Sequence, residues 1–324
     1  KSHPVLVFLD IRAAYDSVMR PLLWQKLLAH GTHTGLVTLF RALFDHCWSN
    51  VLLRPITSGP IVHETGLLQG SSLSPWLYAQ FLDELLRRLE RLSSWSLGPL
   101  PVAALAYADD LALVAESEAQ AQAMLDVCSG YAAEHGFAFA PEKCEIVCED
   151  RMVNLTLPAS PGPRPPDAAD WALAPLIWAE RFTYLGAVFS YWGFDTLNHA
   201  KSRAKKAHLA ALSLVRMGCN GGGYGARLAR QLFFQVVQPA LLYACHLVPF
   251  AEGALRVLEN AQHQALTMIR SLSRCSPRTG MRFYLDCPSV ETILSLRTSR
   301  QLRRTVIADK SLAPGTHVAT CALA

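Results

Sequence analysis

"ALAYADDLALVAES", residues 104–117, sets two adjacent aspartates, Asp109 and Asp110, between two apolar runs. The runs read as short strands joined in a hairpin, with the acids where a chain normally buries surface. Uncompensated carboxylates in such a place cost several kcal/mol. A turn open to water, a basic partner or a metal ion each offsets that cost. No lysine or arginine occurs in residues 111–140, so a basic partner would have to come from elsewhere in the chain.

A second acid stands in a similar position. "PVLVFLDI" (4–11) is a continuous apolar run, expected to be a central strand covered on both faces, and Asp10 lies near its end. A strand-end aspartate can simply cap the following turn, and that alternative stays open at either site taken alone. If the two strands are neighbours in one sheet, the acids converge, and converging carboxylates repel until a proton or a divalent cation relieves them. Hard oxygen donors favour Mg²⁺, and two such ions about 3.5–4 Å apart are the apparatus of in-line phosphoryl transfer. Successive strand residues face opposite sides, which assigns the bridging role to Asp109 before Asp110.

Outward from these strands, "RPLLWQKLLAHG" (20–31) and "LVTLFRALFDHCW" (36–48) have helical spacing, and residues 49–66 form a hairpin expected to turn at Ser58-Gly59-Pro60. A helix follows "LLQGSSLSP", with Ser74 as cap and Pro75 as first helical residue. Another helix is expected over 118–135, ending at Gly136, then a strand "CEIVCE". Residues 157–175 are rich in Pro and Ala and read as a linker or surface loop. "ERFTYLGAVFS" (180–190) reads as a strand pair, and the chain after about 196 as mostly helical. "GCNGGGYG" (218–225) lacks the Lys-Ser/Thr of a P-loop and reads as a helix connection. The expected fold class is α+β: an antiparallel sheet with helices on one face, then a mainly helical domain.

Composition narrows the partners. Hydrophobic residues make up 51% of the 324 and charged residues 17%, so most of the chain should fold. No apolar run approaches a membrane span and no signal peptide opens the chain, so no membrane is expected. Residues 1–199 hold 13 Lys+Arg against 21 Asp+Glu (net −8), and residues 200–324 hold 17 against 5 (net +12). That asymmetry suits cations held in one half and a polyanion in the other, or equally the solvated faces of basic helices. Nine scattered cysteines without a C-x-x-C argue against a disulfide framework and suit a reducing, intracellular setting, nuclear or cytoplasmic.

Five segments resemble the palm motifs of reverse transcriptases in order and approximate spacing, in particular those of non-LTR (LINE-like) retrotransposons. They are "FLDIRAAYDSV" (8–18), "GLLQGSSLSPWLY" (66–78), "YADDLALV" (107–114), "GFAFAPEKCEIV" (136–147) and "FTYLGAVFS" (182–190). Residues 238–272 and 286–304 are similar to the helical segment that follows the palm in these elements. The resemblance implies a palm over 1–157, a Pro/Ala-rich linker or loop over 158–179, a primer-grip hairpin over 180–195 and a basic thumb over 196–324.

It also implies roles. Asp10 and Asp109 would hold two Mg²⁺ ions (Mn²⁺ being possible), with Asp110 assisting and the Ile11 carbonyl touching a metal. Tyr15 would be the steric gate against a ribose 2′-OH, with Gln69 and Gly70 along the template and incoming nucleotide. Lys143 would donate a proton to leaving pyrophosphate. Phe182, Tyr184, Leu185 and Gly186 would form the primer grip, and Lys201, Arg203, Lys205 and Lys206 would contact the nucleic acid. The implied activity is RNA-directed DNA polymerisation from dNTPs, on an RNA template and a DNA primer or target. Ser71-Ser72 stand where an acidic residue or cysteine followed by proline is common. The sequence also begins at the first palm motif, which suggests a fragment of something longer and points to missing fingers; no endonuclease domain or C-C-H-C knuckle is visible. Two other readings compete: a palm and thumb remnant that binds nucleic acid without turnover, and a metal-dependent nuclease built on the same acids.

Overall fold

The computed structural model describes residues 4–93, 95–97, 100–149, 151–158, 173–220, 225–273 and 275–311. The chain divides into two compact units, residues 1–180 and 181–324. Most of the Pro/Ala-rich stretch, the centre of the Gly-rich connection and Cys321 lie outside the described residues.

The first unit opens with β1 (Val5–Leu9), then helices α1 (Arg20–Ala29) and α2 (Thr34–Phe44). Four two-residue strands follow: β2 (Trp48–Ser49), β3 (Leu52–Leu53), β4 (Ile56–Thr57) and β5 (Ile61–Val62). Pairing of β2 with β5 and of β3 with β4 builds one hairpin whose tip is Arg54-Pro55, not Ser58-Gly59-Pro60 as the sequence suggested. The register slips by one residue between the two ladders. Ser58 lies in that slip, its Oγ accepting from the Val51 N–H at 2.8 Å, so the turn-like Ser-Gly-Pro forms a bulge.

Helix α3 (Ser74–Glu90) comes next, then β6 (Ser96–Leu97), β7 (Leu100–Pro101), β8 (Ala104–Tyr107), β9 (Asp110–Ala115) and α4 (Glu118–His135). Ser74 is the first residue of α3 rather than its cap, because its Oγ donates to the Leu68 carbonyl at 2.6 Å. Helix α4 runs as expected: Ser117 caps its start and Gly136, at φ +72°, ends it in the left-handed conformation glycine permits. A 3-10 turn at Pro141–Lys143 leads into β10 (Glu145–Val147), then β11 (Thr156–Pro158), β12 (Leu173–Pro175) and β13 (Ile177–Trp178). The described end of the Pro/Ala-rich stretch is therefore strand: β12 pairs with β11, and β13 runs parallel to β10.

The main sheet has the order β13-β10-β1-β9-β8. Its central strand β1 alternates, with Val5, Val7 and Leu9 buried and Leu6 and Phe8 only partly so. Helix α4 packs against β1 and β9, and α3 against β8, so the helices cover one face, as predicted. The expectation of a strand covered on both faces does not hold. Strand β8 is an edge strand with Leu105 and Tyr107 exposed, so the apolar run before the two aspartates is only half a wall. Lys26 of α1 ties three helices together, donating to Glu84 of α3 at 2.7 Å and to Tyr131 of α4 at 2.6 Å. Its hydrogen bond, with that of Arg88, pulls the Glu84 carboxyl down to about 2.

The second unit starts with a meander of β14 (Arg181–Tyr184), β15 (Ala187–Ser190) and β16 (Gly193–Phe194). Helices follow: α5 (Thr196–Arg216), α6 (Ala226–Leu232), a π-turn at Phe233–Val237, α7 (Gln238–Leu242), α8 (Glu252–Arg270), α9 (Arg278–Tyr284) and α10 (Val290–Ser311). Alanines at 200, 207 and 211 on α5 and at 254, 261 and 265 on α8 let these two helices pack closely. Among the described residues no helix is long and apolar enough to cross a membrane.

Candidate active site

Strand pairing alone brings the acids together. In the antiparallel β1–β9 ladder Leu9 faces Leu111, so the next step outward is Asp10 beside Asp110. Leu9 and Leu111 point into the core, and alternation turns the two aspartates to the opposite face. Asp109 occupies the two-residue turn between β8 and β9, whose Tyr107 pairs with Asp110. Ala108, at φ +53°, takes the left-handed position of that turn, a strain of about 1–2 kcal/mol for a residue with a Cβ.

The charges report the convergence. The Asp110 carboxyl is pushed up first by partial burial and then by Asp109 and Asp10. The Tyr15 phenol is pushed up by burial, then by Asp109 and Tyr107, which sets Tyr15 beside the acids. Its ring stacks on Tyr78 of α3 at 4.9 Å and 24°. Ile11 is buried and bridges to Phe139.

Lys143, on the 3-10 turn, holds its Nζ 3.3 Å from Asp10 Oδ2. Its neighbour Glu142 takes Arg12 through both carboxylate oxygens, at 3.0 and 3.2 Å. The Asp10 N–H donates to the Cys144 Sγ at 3.4 Å, and the Asp10 carbonyl accepts from the Ala140 N–H at 2.9 Å. The segments bearing Asp10 and Lys143 are thus pinned together.

A strap over 65–70 carries Gln69 and Gly70. Its Leu67 N–H donates to the Tyr15 carbonyl at 2.8 Å, and Gln69 Nε2 reaches both oxygens of Asp16 at 3.4 Å. Arg20, only 3% exposed, holds the strap from below by donating to the carbonyls of Gly66 (2.7 Å), His63 (2.8 Å) and Thr65 (2.9 Å). No signal in the sequence marks Arg20, since a helix-start arginine reads as solvated until the chain folds over it. Gly66 lies at φ +85°, and a Cβ there would stand 2.8 Å from the Asp16 backbone. Gly66→Ala is therefore expected to cost about 2 kcal/mol, read as a lower urea midpoint.

The donor set is hard and all-oxygen: three carboxylates of which one already feels the other two, with the Lys143 ammonium drawn to Asp10. That chemistry fits a hard divalent cation. As the side chains are turned, no three acidic, His or Cys groups among the described residues close around a single point. The set suits a cation that takes its remaining ligands from water and substrate phosphates.

In the second unit, Leu185 (φ +48°) and Gly186 (φ +75°) form the two-residue turn between β14 and β15. Phe182 is buried and stacks on Phe189 at 5.4 Å, while Tyr184 is half-buried. On α5, Lys201, Lys205 and Lys206 are exposed, but Arg203 is 5% exposed and is an interior residue, not the nucleic-acid contact expected from the sequence. It shares the helical stripe of Ala200 and Ala207, three and four residues away, and that stripe faces inward.

Residues 1–189 match the family model of the reverse transcriptase (RNA-dependent DNA polymerase). Over 191 residues the chain is 30% identical to the retrovirus-related Pol polyprotein from type-1 retrotransposable element R2 of Popillia japonica, covering 58% of this chain and 31% of that protein. The Nasonia vitripennis counterpart is also 30% identical over 191 residues, covering 58% of this chain and 18% of its own. The Drosophila melanogaster type-2 element R2DM polyprotein is 30% identical over 139 residues, 43% of this chain and 13% of its own. A solved structure of telomerase from Candida albicans with a TWJ fragment of telomeric RNA aligns over 89% of this chain and 51% of its own, at 12% identity and a TM-score of 0.36. The match over residues 1–189 defines the class: this chain belongs to the reverse transcriptase family. Its curated relatives are Pol polyproteins of R2 retrotransposons, and it spans less than a third of the length of each of these three.

Proposed function

We propose that this chain carries the polymerising centre of an RNA-directed DNA polymerase of a non-LTR retrotransposon, adding dNTPs to a primer 3′-OH on an RNA template. The observation that carries the reading is the β1–β9 register, which brings Asp10 and Asp110 side by side with Asp109 at the adjoining turn. Bound divalent cations would supply Lewis-acid charge at the attacking and leaving oxygens. Asp10, Asp109 and the Ile11 carbonyl would hold them, with Asp110 assisting.

The remaining residues act by position and charge. Lys143, whose ammonium lies 3.3 Å from Asp10 Oδ2, would present its charge to the triphosphate and a proton to the departing pyrophosphate. Tyr15, backed by Tyr78, sets the width of the sugar pocket, while the strap with Gln69 and Gly70 lies along the base pair being formed. The exposed Lys201, Lys205 and Lys206 hold the duplex by its phosphates.

Primer extension on poly(rA)/oligo(dT) with Mg²⁺ tests the reading, with Asp109→Asn as the control; equal product from both proteins overturns it. Tyr15→Ala is expected to raise ribonucleotide incorporation relative to dNTP by about ten-fold or more. No gain in ribonucleotide use removes Tyr15 as the gate.

A further inference from the structure

The hairpin proposed to grip the primer is held by three side chains of its own unit, and together they make a closed circuit. Tyr243, just after α7, donates its hydroxyl to the Leu185 carbonyl at 2.8 Å. Arg203 donates from a terminal nitrogen to the Gly186 carbonyl at 3.3 Å, with its guanidinium 5.2 Å from the centre of the Tyr243 ring. His199 accepts the Val188 N–H on Nδ1 at 3.3 Å, which leaves the proton on Nε2 to be donated to the Tyr243 carbonyl at 2.8 Å. Both carbonyls of the turn are thus taken by side chains, and the third tie leads back to the residue that makes the first.

Two features separate this circuit from ordinary packing. The turn needs Leu185 at positive φ, a conformation that persists only where the surroundings over-determine it. The clamp also spends buried polar groups to do so. His199 is fully buried, and Arg203 keeps a charge inside the unit on carbonyls and a ring, with its Nε lacking a hydrogen-bond partner. A buried charge of this kind is costly as a source of stability and suits a role in fixing one conformation. The Tyr243 ring lies 3.3 Å from where a Gly186 Cβ would stand, so the turn is closed in by the residue that bonds it.

We propose that Tyr243, Arg203 and His199 are positioning residues that lock the Leu185–Gly186 turn in the geometry that receives the primer strand. The inference rests on the polymerase reading for the identity of that strand. The test uses the whole chain carrying Tyr243→Phe, which keeps the ring and the arginine stack and removes one hydroxyl, alongside Arg203→Lys, which keeps the charge and loses the planar fork.

Amide exchange over residues 182–190 is expected to quicken about ten-fold in both variants, with exchange in α8 unchanged. The Kd for a recessed-primer RNA–DNA duplex, read by fluorescence anisotropy at fixed salt, is expected to rise about five-fold or more. Unchanged exchange overturns the clamp. Faster exchange with an unchanged Kd reduces the three residues to a structural role and overturns their part in placing the primer. A wild-type chain that binds the duplex but extends no primer fails the polymerase reading alone, because the Kd comparison still decides the clamp.

Discussion

Asp109→Asn is expected to reduce primer extension by more than about 100-fold and to leave the protein folded. The reduction follows from the chemistry of the site. Residues that only orient a metal's ligands are typically worth about 10–100-fold, and Asp109 is proposed as a direct ligand. The fold survives because Asp109 is exposed in a two-residue turn, and asparagine keeps the shape while removing one negative charge. The sign of the electrostatic change gives a readout independent of activity. Asp109 is one of the charges that push the Asp110 carboxyl up, so its neutralisation lowers the Asp110 pKa toward the ordinary carboxylate range. With a raised pKa, ionised Asp110 opposes folding as the pH climbs through its titration; relieving that repulsion leaves the variant as stable as the parent, or slightly more so, at neutral pH. A carboxyl-resolved NMR titration and a urea curve measure both effects. An active variant, or an Asp110 that does not move, removes Asp109 from the metal-binding set.

Arg20→Ala is expected to lower stability by about 3–5 kcal/mol. Three carbonyls lose their donor at once, and the guanidinium leaves a hole between α1 and the strap. Arg20→Lys recovers only part of the loss, since an ammonium cannot span three acceptors in the plane the guanidinium fits. The strap also carries Gln69, so the lysine variant is expected to show a raised KM for dNTP. A urea midpoint within about 1 kcal/mol of the parent for Arg20→Met would show that the three carbonyls find water instead.

How far the sequence reached depends on whether a feature is local. Ser117 and Gly136 bracket α4 because cap and left-handed glycine act within one turn of chain, and both are visible as residue types. The β8–β9 hairpin and the strand pair within 180–190 are likewise local, and both stand where the sequence suggested; the ladder then puts the second turn at Leu185–Gly186. Ser58-Gly59-Pro60 misled because turn residues also suit bulges, and only the pairing of Trp48 with Val62 and of Leu53 with Ile56 decides between them. Ser74 looked like a cap because the Leu68 carbonyl that claims its hydroxyl is set by the fold of the strap.

The sequence by itself determined the strand-end acids and the motif order that marks the family, because each depends on residue type and short spacing. Tertiary structure alone decided which neighbours those residues meet. It put Asp10 beside Asp110 across 100 residues of chain through the register of one ladder. It drew Lys143 to Asp10, turned Arg203 inward onto Tyr243 and made Arg20 the donor to three carbonyls. A charge in a sequence has no fixed partner; the backbone hydrogen bonds that set the sheet and the helices choose it.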